Sequence, residues 1–229
     1  MQVTVLAHTA EPVKVVAMAA RLCYSPLDIG SLRGAGGAED RQLIEKVLAL
    51  GHESVLEHAS FTLGIEGVSR ALSHQLVRHR LASFSQQSQR YVSFDEGFSF
   101  QVPPSIQGDE TLCQEYGELM ETLASFYRRL REQGIPAEDA RFVLPNAADT
   151  RLVMTMNARE LRHFFRLRCC RRAQWEIRQL ATEILRQVKK IALPLFQQAG
   201  PPCLTGPCPE GTMSCGEAKA VRRQFGELE

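Results

Sequence analysis

Long apolar stripes at helical spacing, set against very few strand-like runs, constrain this chain most. Ile177, Leu180, Ala181, Ile184, Val188, Ile191 and Leu195 trace one such stripe towards Pro194. Leu112, Tyr116, Leu119, Leu123, Phe126 and Leu130 trace another. They predict a helix over 110–133 with this face in the core and Gly134 as its stop. Further helices are predicted from Pro12 to about Tyr24, from Asp40 to Leu50 before Gly51, and from Ser69 to about Arg80. Asn157-Ala158-Arg159-Glu160 is an Asn-x-x-Glu capping box that opens one more. Strands are expected only over 2–7, 61–66, 98–103 and 151–156, where apolar and polar residues alternate. The glycine-rich stretch 25–39 and the polar stretch 82–93 read as loops. The class is therefore α+β, a single domain with a small mixed sheet and several long helices. Residues 1–200 form that domain, and 201–229 are a Cys/Gly/Pro-rich, irregular C-terminal tail.

Charge is balanced overall but not locally. The 229 residues carry a formal net charge of +1, so no global field draws the chain to nucleic acid or anionic lipid. Residues 67–94 hold Arg70, Arg78, Arg80 and Arg90 without one carboxylate, and 157–190 hold ten Lys or Arg against three Glu. The positive charge is thus collected in two segments, which suggests a local anion site. No run of about 18 apolar residues exists to span a membrane. The start, Met1 to Val5, lacks the basic-then-apolar pattern of a secretory signal. Seven cysteines, an odd number in a chain that needs no staples, suit reduced thiols in a cytoplasmic protein.

The densest chemistry is the run Arg78-His79-Arg80-Leu81-Ala82-Ser83-Phe84-Ser85-Gln86-Gln87-Ser88-Gln89-Arg90-Tyr91. It combines three guanidiniums, an imidazole, three serines and three glutamines with no acid. Guanidinium forks pair with phosphate and carboxylate oxygens. Glutamine and serine add the directional bonds that a heteroaromatic ring with carbonyls and N–H groups requires. Such a run is suited to an anionic, planar ligand.

Arg78-His79-Arg80, seven residues and Ser88 together resemble the signature of the flavin-dependent thymidylate synthase family. Other blocks resemble that family in the same order. They are Gly51-His52-Glu53-Ser54 with Glu57-His58, Ser73 to Val77, Ala140 to Pro145, Asn157 to Leu161 with Leu167-Arg168, and Ala173 to Ile177. The likeness spans roughly residues 1–200. It implies a methyltransferase that reductively methylates dUMP to dTMP, with 5,10-methylenetetrahydrofolate as carbon donor, NADPH as reductant and FAD as the flavin, in a homotetramer. It also implies roles by position. Arg168 would be catalytic, its charge stabilising the uracil anion. The FAD would contact Ser54, Arg78, His79, Arg80, Gln86, Asn157, Ala158, Arg159 and His163, with His52 and Glu57 lining its site. The dUMP would contact Gln75, Leu76, Val77, Arg78, Gln86, Gln87, Ser88, Gln89, Arg90, Arg141 and Arg168. Unpaired N–H groups of the helix that Asn157 opens would suit a pyrophosphate. No Gly-x-Gly-x-x-Gly occurs, so the FAD is not expected in the Rossmann manner. Some relatives carry Asn, Glu and Asn where Ser85, Gln86 and His163 stand here.

Blander readings exist for the same residues. Arg78-His79-Arg80 alone would be a solvated helix end, and the Arg-rich segment 159–172 alone would suggest nucleic-acid binding. An inactive FAD-binding relative is the third alternative. The histidines lack metal-ligand spacing, and no metal is expected. Cys203, Cys208 and Cys215, joined by Cys169 or Cys170, leave a zinc site as an open alternative to free thiols.

Overall fold

The computed structural model describes residues 1–228. In chain order it has β1 (Gln2–His8), α1 (Pro12–Leu22), α2 (Ile29–Gly34), α3 (Glu39–Ala49), a 3₁₀ turn (Glu53–His58), β2 (Ser60–Ser69), α4 (Arg70–Leu76) and β3 (Ala82–Gln86). There follow α5 (Pro104–Gln107), α6 (Glu110–Glu132), α7 (Ala137–Ala140), β4 (Asp149–Asn157), α8 (Ala158–Arg168), α9 (Trp175–Phe196) and α10 (Ala218–Gly226). The class is α+β, as expected. The sheet has four strands in the order β1-β2-β4-β3 and is antiparallel, which corrects the mixed sheet expected from sequence.

Four local expectations also change. Residues 82–86, read as loop, form β3, because Gln87 N–H bonds Arg151 O at 2.9 Å and continues the edge of β4. The strand expected over 98–103 is reduced to a single bridge between Phe100 and Ala148. Part of the glycine-rich loop is α2, started by Asp28, whose carboxylate accepts from Ser31 N–H at 2.9 Å. The tail expected to be irregular carries α10.

The chain divides into two compact units. The first contains Met1–Gln2, Gly64–Arg78 and Phe84–Val153; the second contains Val3–Leu63, His79–Ser83 and the chain from Met154 onward. Buried in the first are Ile65, Val68, Leu72 and Leu76, and from α6 Met120, Ala124 and Tyr127. Edge-on aromatic contacts join Phe94 to Tyr127 at 6.1 Å and Phe100 to Tyr116 at 5.9 Å. The face of α6 predicted to be buried is rotated outward, leaving Leu112, Leu119 and Phe126 exposed.

In the second unit the predicted stripe of α9 is core. Ile177, Leu180, Ala181, Ile184, Val188 and Leu195 are all fully buried. The helix passes Pro194 and reaches Phe196 by kinking at Ala192. Phe61, Phe165 and Phe196 form an aromatic cluster with centroids 5.5 and 6.0 Å apart. The tail is tied to this unit by Lys189 Nζ donating to Leu228 O at 3.1 Å and by buried Val221 and Phe225. Gly200, at φ 149°, lets the Phe225 ring come so close that a Cβ there would sit 3.2 Å from it.

Candidate active site

The second unit contains a cavity of about 780 Å³ at the start of α8. Asn157 sets its floor: the side chain accepts from Glu160 N–H at 2.9 Å and ends β4 as an N-cap. Ala158 N–H donates to Ala59 O at 2.7 Å. Two of the helix's early N–H groups, those of Ala158 and Glu160, are thus taken by the protein's own oxygens and do not wait there for a pyrophosphate. Guanidiniums supply the positive lining instead. Arg159 donates to Glu57 at 2.5 Å, and Arg162 to Glu53 at 3.3 Å and to Leu195 O at 2.9 Å. The hydrogen bond to Glu57 is the main reason the Arg159 guanidinium holds its proton more tightly than usual. His163 and Arg166 complete the wall, and the proline-rich start of the tail closes it.

His79 is buried behind this cavity, only 5% exposed, and both ring nitrogens are engaged. Nδ1 lies 3.2 Å from Glu160 Oε1, and Nε2 lies 3.1 Å from the Nε of Arg168. The ring meets Phe164 edge-on at 5.0 Å. Burial pushes the imidazole pKa below 6.5, its ordinary value, and the charge of Arg168 adds to that; Glu160 pulls the other way. Burial also lowers the pKa of Arg168 from its ordinary value, but a guanidinium stays charged at any working pH.

The first unit assembles a different basic site around Arg70. Its Nη1 reaches Thr150 Oγ1 at 3.4 Å and Gln87 O at 3.5 Å, and its Nη2 reaches Gln89 Oε1 at 3.4 Å. Gln86 donates to the same Thr150 hydroxyl at 3.1 Å. Burial first, and then the charge of Arg141, lower the Arg70 pKa. Arg90 donates to the Glu138 carboxylate at 2.9 Å, while Arg141 Nε donates to the Glu138 carbonyl at 3.1 Å. Ser88 serves the turn here, accepting from Arg90 N–H at 3.2 Å.

Several expected site residues therefore gather in two groups. Asn157, Arg159 and His163 line the cavity of the second unit, together with Glu57. Gln86, Gln87, Gln89, Arg90 and Arg141 converge in the first. Other residues stand apart. Ala158 is buried beneath the turn, Ser54, His52 and Arg80 are exposed outside the cavity lining, and His52 instead meets Tyr24 Oη at 3.1 Å. Arg78 and Val77 are exposed at the end of α4, beside half-buried Gln75. Leu76 is fully buried, so only its backbone is available to a ligand.

Sequence reasoning missed Arg70 and Glu160. The lone acid among arginines at the start of α8 was read as half of a capping box, which hid its role as the partner of His79. The cysteines are also gathered. Cys170, Cys203, Cys208 and Cys215 line a cavity of about 390 Å³ in the second unit. Among the described residues, however, no group of three or more His, Cys, Asp or Glu is set to hold a metal ion. Burial pushes the Cys169 thiol up to about 12, which makes it inert. No helix among the described residues is long and apolar enough to cross a membrane.

An arginine-rich cavity at a helix start, with a buried imidazole orienting a further arginine, is the kind of site that holds an anionic cofactor beside a reacting group. Residues 4–194 match the family described as Thymidylate synthase complementing protein, and the chain belongs to that family. It is 58% identical to a flavin-dependent thymidylate synthase of Geobacter sulfurreducens, covering 100% of this chain and 99% of the relative. A protein of that name from Clostridium tetani is 46% identical, with 98% and 97% covered, and one from Pyrococcus furiosus 40%, with 98% and 96% covered.

Proposed function

We propose that this protein forms dTMP from dUMP by flavin-dependent reductive methylation. The methylene comes from 5,10-methylenetetrahydrofolate and the electrons from NADPH, through FAD. The observation that carries this reading is the likeness, over the whole chain, to proteins named flavin-dependent thymidylate synthase.

The donors of the second unit suit such a cofactor. Arg159 and Arg166 offer cations to a pyrophosphate, and His163 offers a ring face and a hydrogen bond. When bound, the flavin supplies the hydride and methylene-transfer chemistry. This chain's residues bind and polarise. Arg90, Arg141 and Gln86 to Gln89 hold the nucleotide phosphate and sugar, with Arg70 ordering the glutamines. Arg168 stabilises negative charge on the uracil ring and so activates C5 towards an electrophile. No cysteine takes part as a nucleophile. The homotetramer belongs to the same proposal, and the exposed Leu112, Leu119 and Phe126 stripe on α6 supports a second copy as its cover.

The test is the visible spectrum of the purified protein under anaerobic NADPH, with and without dUMP. An oxidised-flavin spectrum that bleaches at a rate dUMP alters, followed by dTMP formation when methylenetetrahydrofolate is added, is expected. A protein that takes up no flavin even when FAD is supplied would overturn the reading.

A further inference from the structure

We infer that Glu160, acting through His79, is a positioning residue that fixes the orientation of Arg168. This rests on the reading of Arg168 as the group that meets the uracil ring. Glu160, Phe164 and Arg168 are spaced four residues apart, so they form one row along α8. The His79 imidazole lies along that row. It touches Glu160 through Nδ1, Phe164 through the ring edge and Arg168 through Nε2. His79 and Glu160 are 5% and 6% exposed, so water does not compete for these bonds.

Donor and acceptor counting leaves one arrangement. An ionised carboxylate only accepts, so Nδ1 must carry a proton. Arg168 Nε–H only donates, so Nε2 must present its lone pair. The ring is therefore the neutral Nδ1–H tautomer, and the carboxylate selects it. Protonating the ring would put an N–H against the guanidinium N–H and a positive charge beside another. The groups facing His79 agree with this. Burial first, with Arg168 and His163, disfavours the imidazolium, and together they outweigh Glu160, which favours it. Arg168 thus gains a direction from a buried, uncharged acceptor at its Nε.

Glu160→Gln tests the relay. An amide can accept from Nδ1–H or donate to Nδ1, so both tautomers become available, and one of them turns a donor towards Arg168. Turnover should fall about 10- to 100-fold, the usual cost of losing an orienting partner. The KM for dUMP and the flavin content should stay at the parent's values. Below neutrality, kcat should fall in the parent as His79 takes a proton. Removing the carboxylate that favours that proton should move this acid limb to lower pH. An unchanged kcat with an unmoved limb would sink the proposal; a purely structural role for Glu160 would not shift the limb.

If the variant does not fold, ¹⁵N shifts of the imidazoles in the flavin-loaded parent decide instead, with His79→Gln assigning the signal. The Nδ1–H tautomer at pH 7 supports the relay, and an Nε2–H ring or an imidazolium overturns it. A parent that does not turn over dUMP would defeat the proposed function alone, since the ring shifts still report on the relay.

Discussion

Arg168 and Arg90 make their bonds in different settings, one to a buried imidazole and one to an exposed carboxylate. Arg168 donates to a buried imidazole whose protons are fixed by a carboxylate on its far side. Arg90 donates directly to the Glu138 carboxylate, and both side chains are about half exposed, at 51% and 49%. A buried neutral acceptor orients a cation through a bond that water does not replace. An exposed carboxylate cancels the charge, and water and other anions can replace it at little cost. The first arrangement suits an arginine that must act on developing charge. The second suits an arginine that must exchange one anion for another, as a phosphate-binding group does.

Removing each arginine should separate the two roles. Arg168→Ala is expected to lower kcat by about 10²- to 10³-fold, roughly 3–4 kcal/mol of transition-state stabilisation, with the fold intact by circular dichroism. A variant that turns over like the parent would break the contrast at its stronger end. Arg90→Ala should act on binding instead. Loss of a charge-assisted bond worth roughly 1.5–3 kcal/mol predicts dUMP affinity weaker by about 10- to 100-fold, with flavin content unchanged. Calorimetric titration with dUMP measures it, and a parent-like Kd would remove Arg90 from the phosphate site.

How much of this was legible in sequence depends on what each residue's neighbours decide. The α9 stripe is core at Ile177, Leu180, Ala181, Ile184, Val188 and Leu195, with only Ile191 half-buried, because this helix is surrounded by its own chain. The α6 stripe has the same periodicity, yet Leu119 is 53% exposed while its neighbour Met120 is buried. Periodicity shows that a face is apolar, not which face the chain itself covers. The arginine and glutamine run was visible because its composition is extreme. Glu160 was not, since local spacing explains an acid three residues after Asn157 equally well as a cap. Only the fold shows that its carboxylate reaches His79, 81 residues away in sequence. Residues 82–86 failed for a related reason. Ala82, Phe84 and Gln86 do alternate with exposed Ser83 and Ser85, but a five-residue run so rich in serine and glutamine has the composition of a loop.

The smallest effect belongs to the exposed partner. If Glu138 competes with the nucleotide phosphate for Arg90, Glu138→Gln should tighten dUMP binding, opposite in sign to Arg90→Ala. A surface pair of this kind is worth about 0–1 kcal/mol, so the gain should not exceed roughly fivefold. Arg141 would keep its bond, because it uses the backbone carbonyl of residue 138 rather than the carboxylate. The difference between variant and parent should shrink as salt rises, since exposed charges are screened within about 8–10 Å at 0.1–0.15 M. Weaker dUMP binding in Glu138→Gln would mean that the carboxylate steadies Arg90 for the phosphate. Arg90 and Arg168 would then both be oriented by design, and the contrast between them would reduce to burial alone.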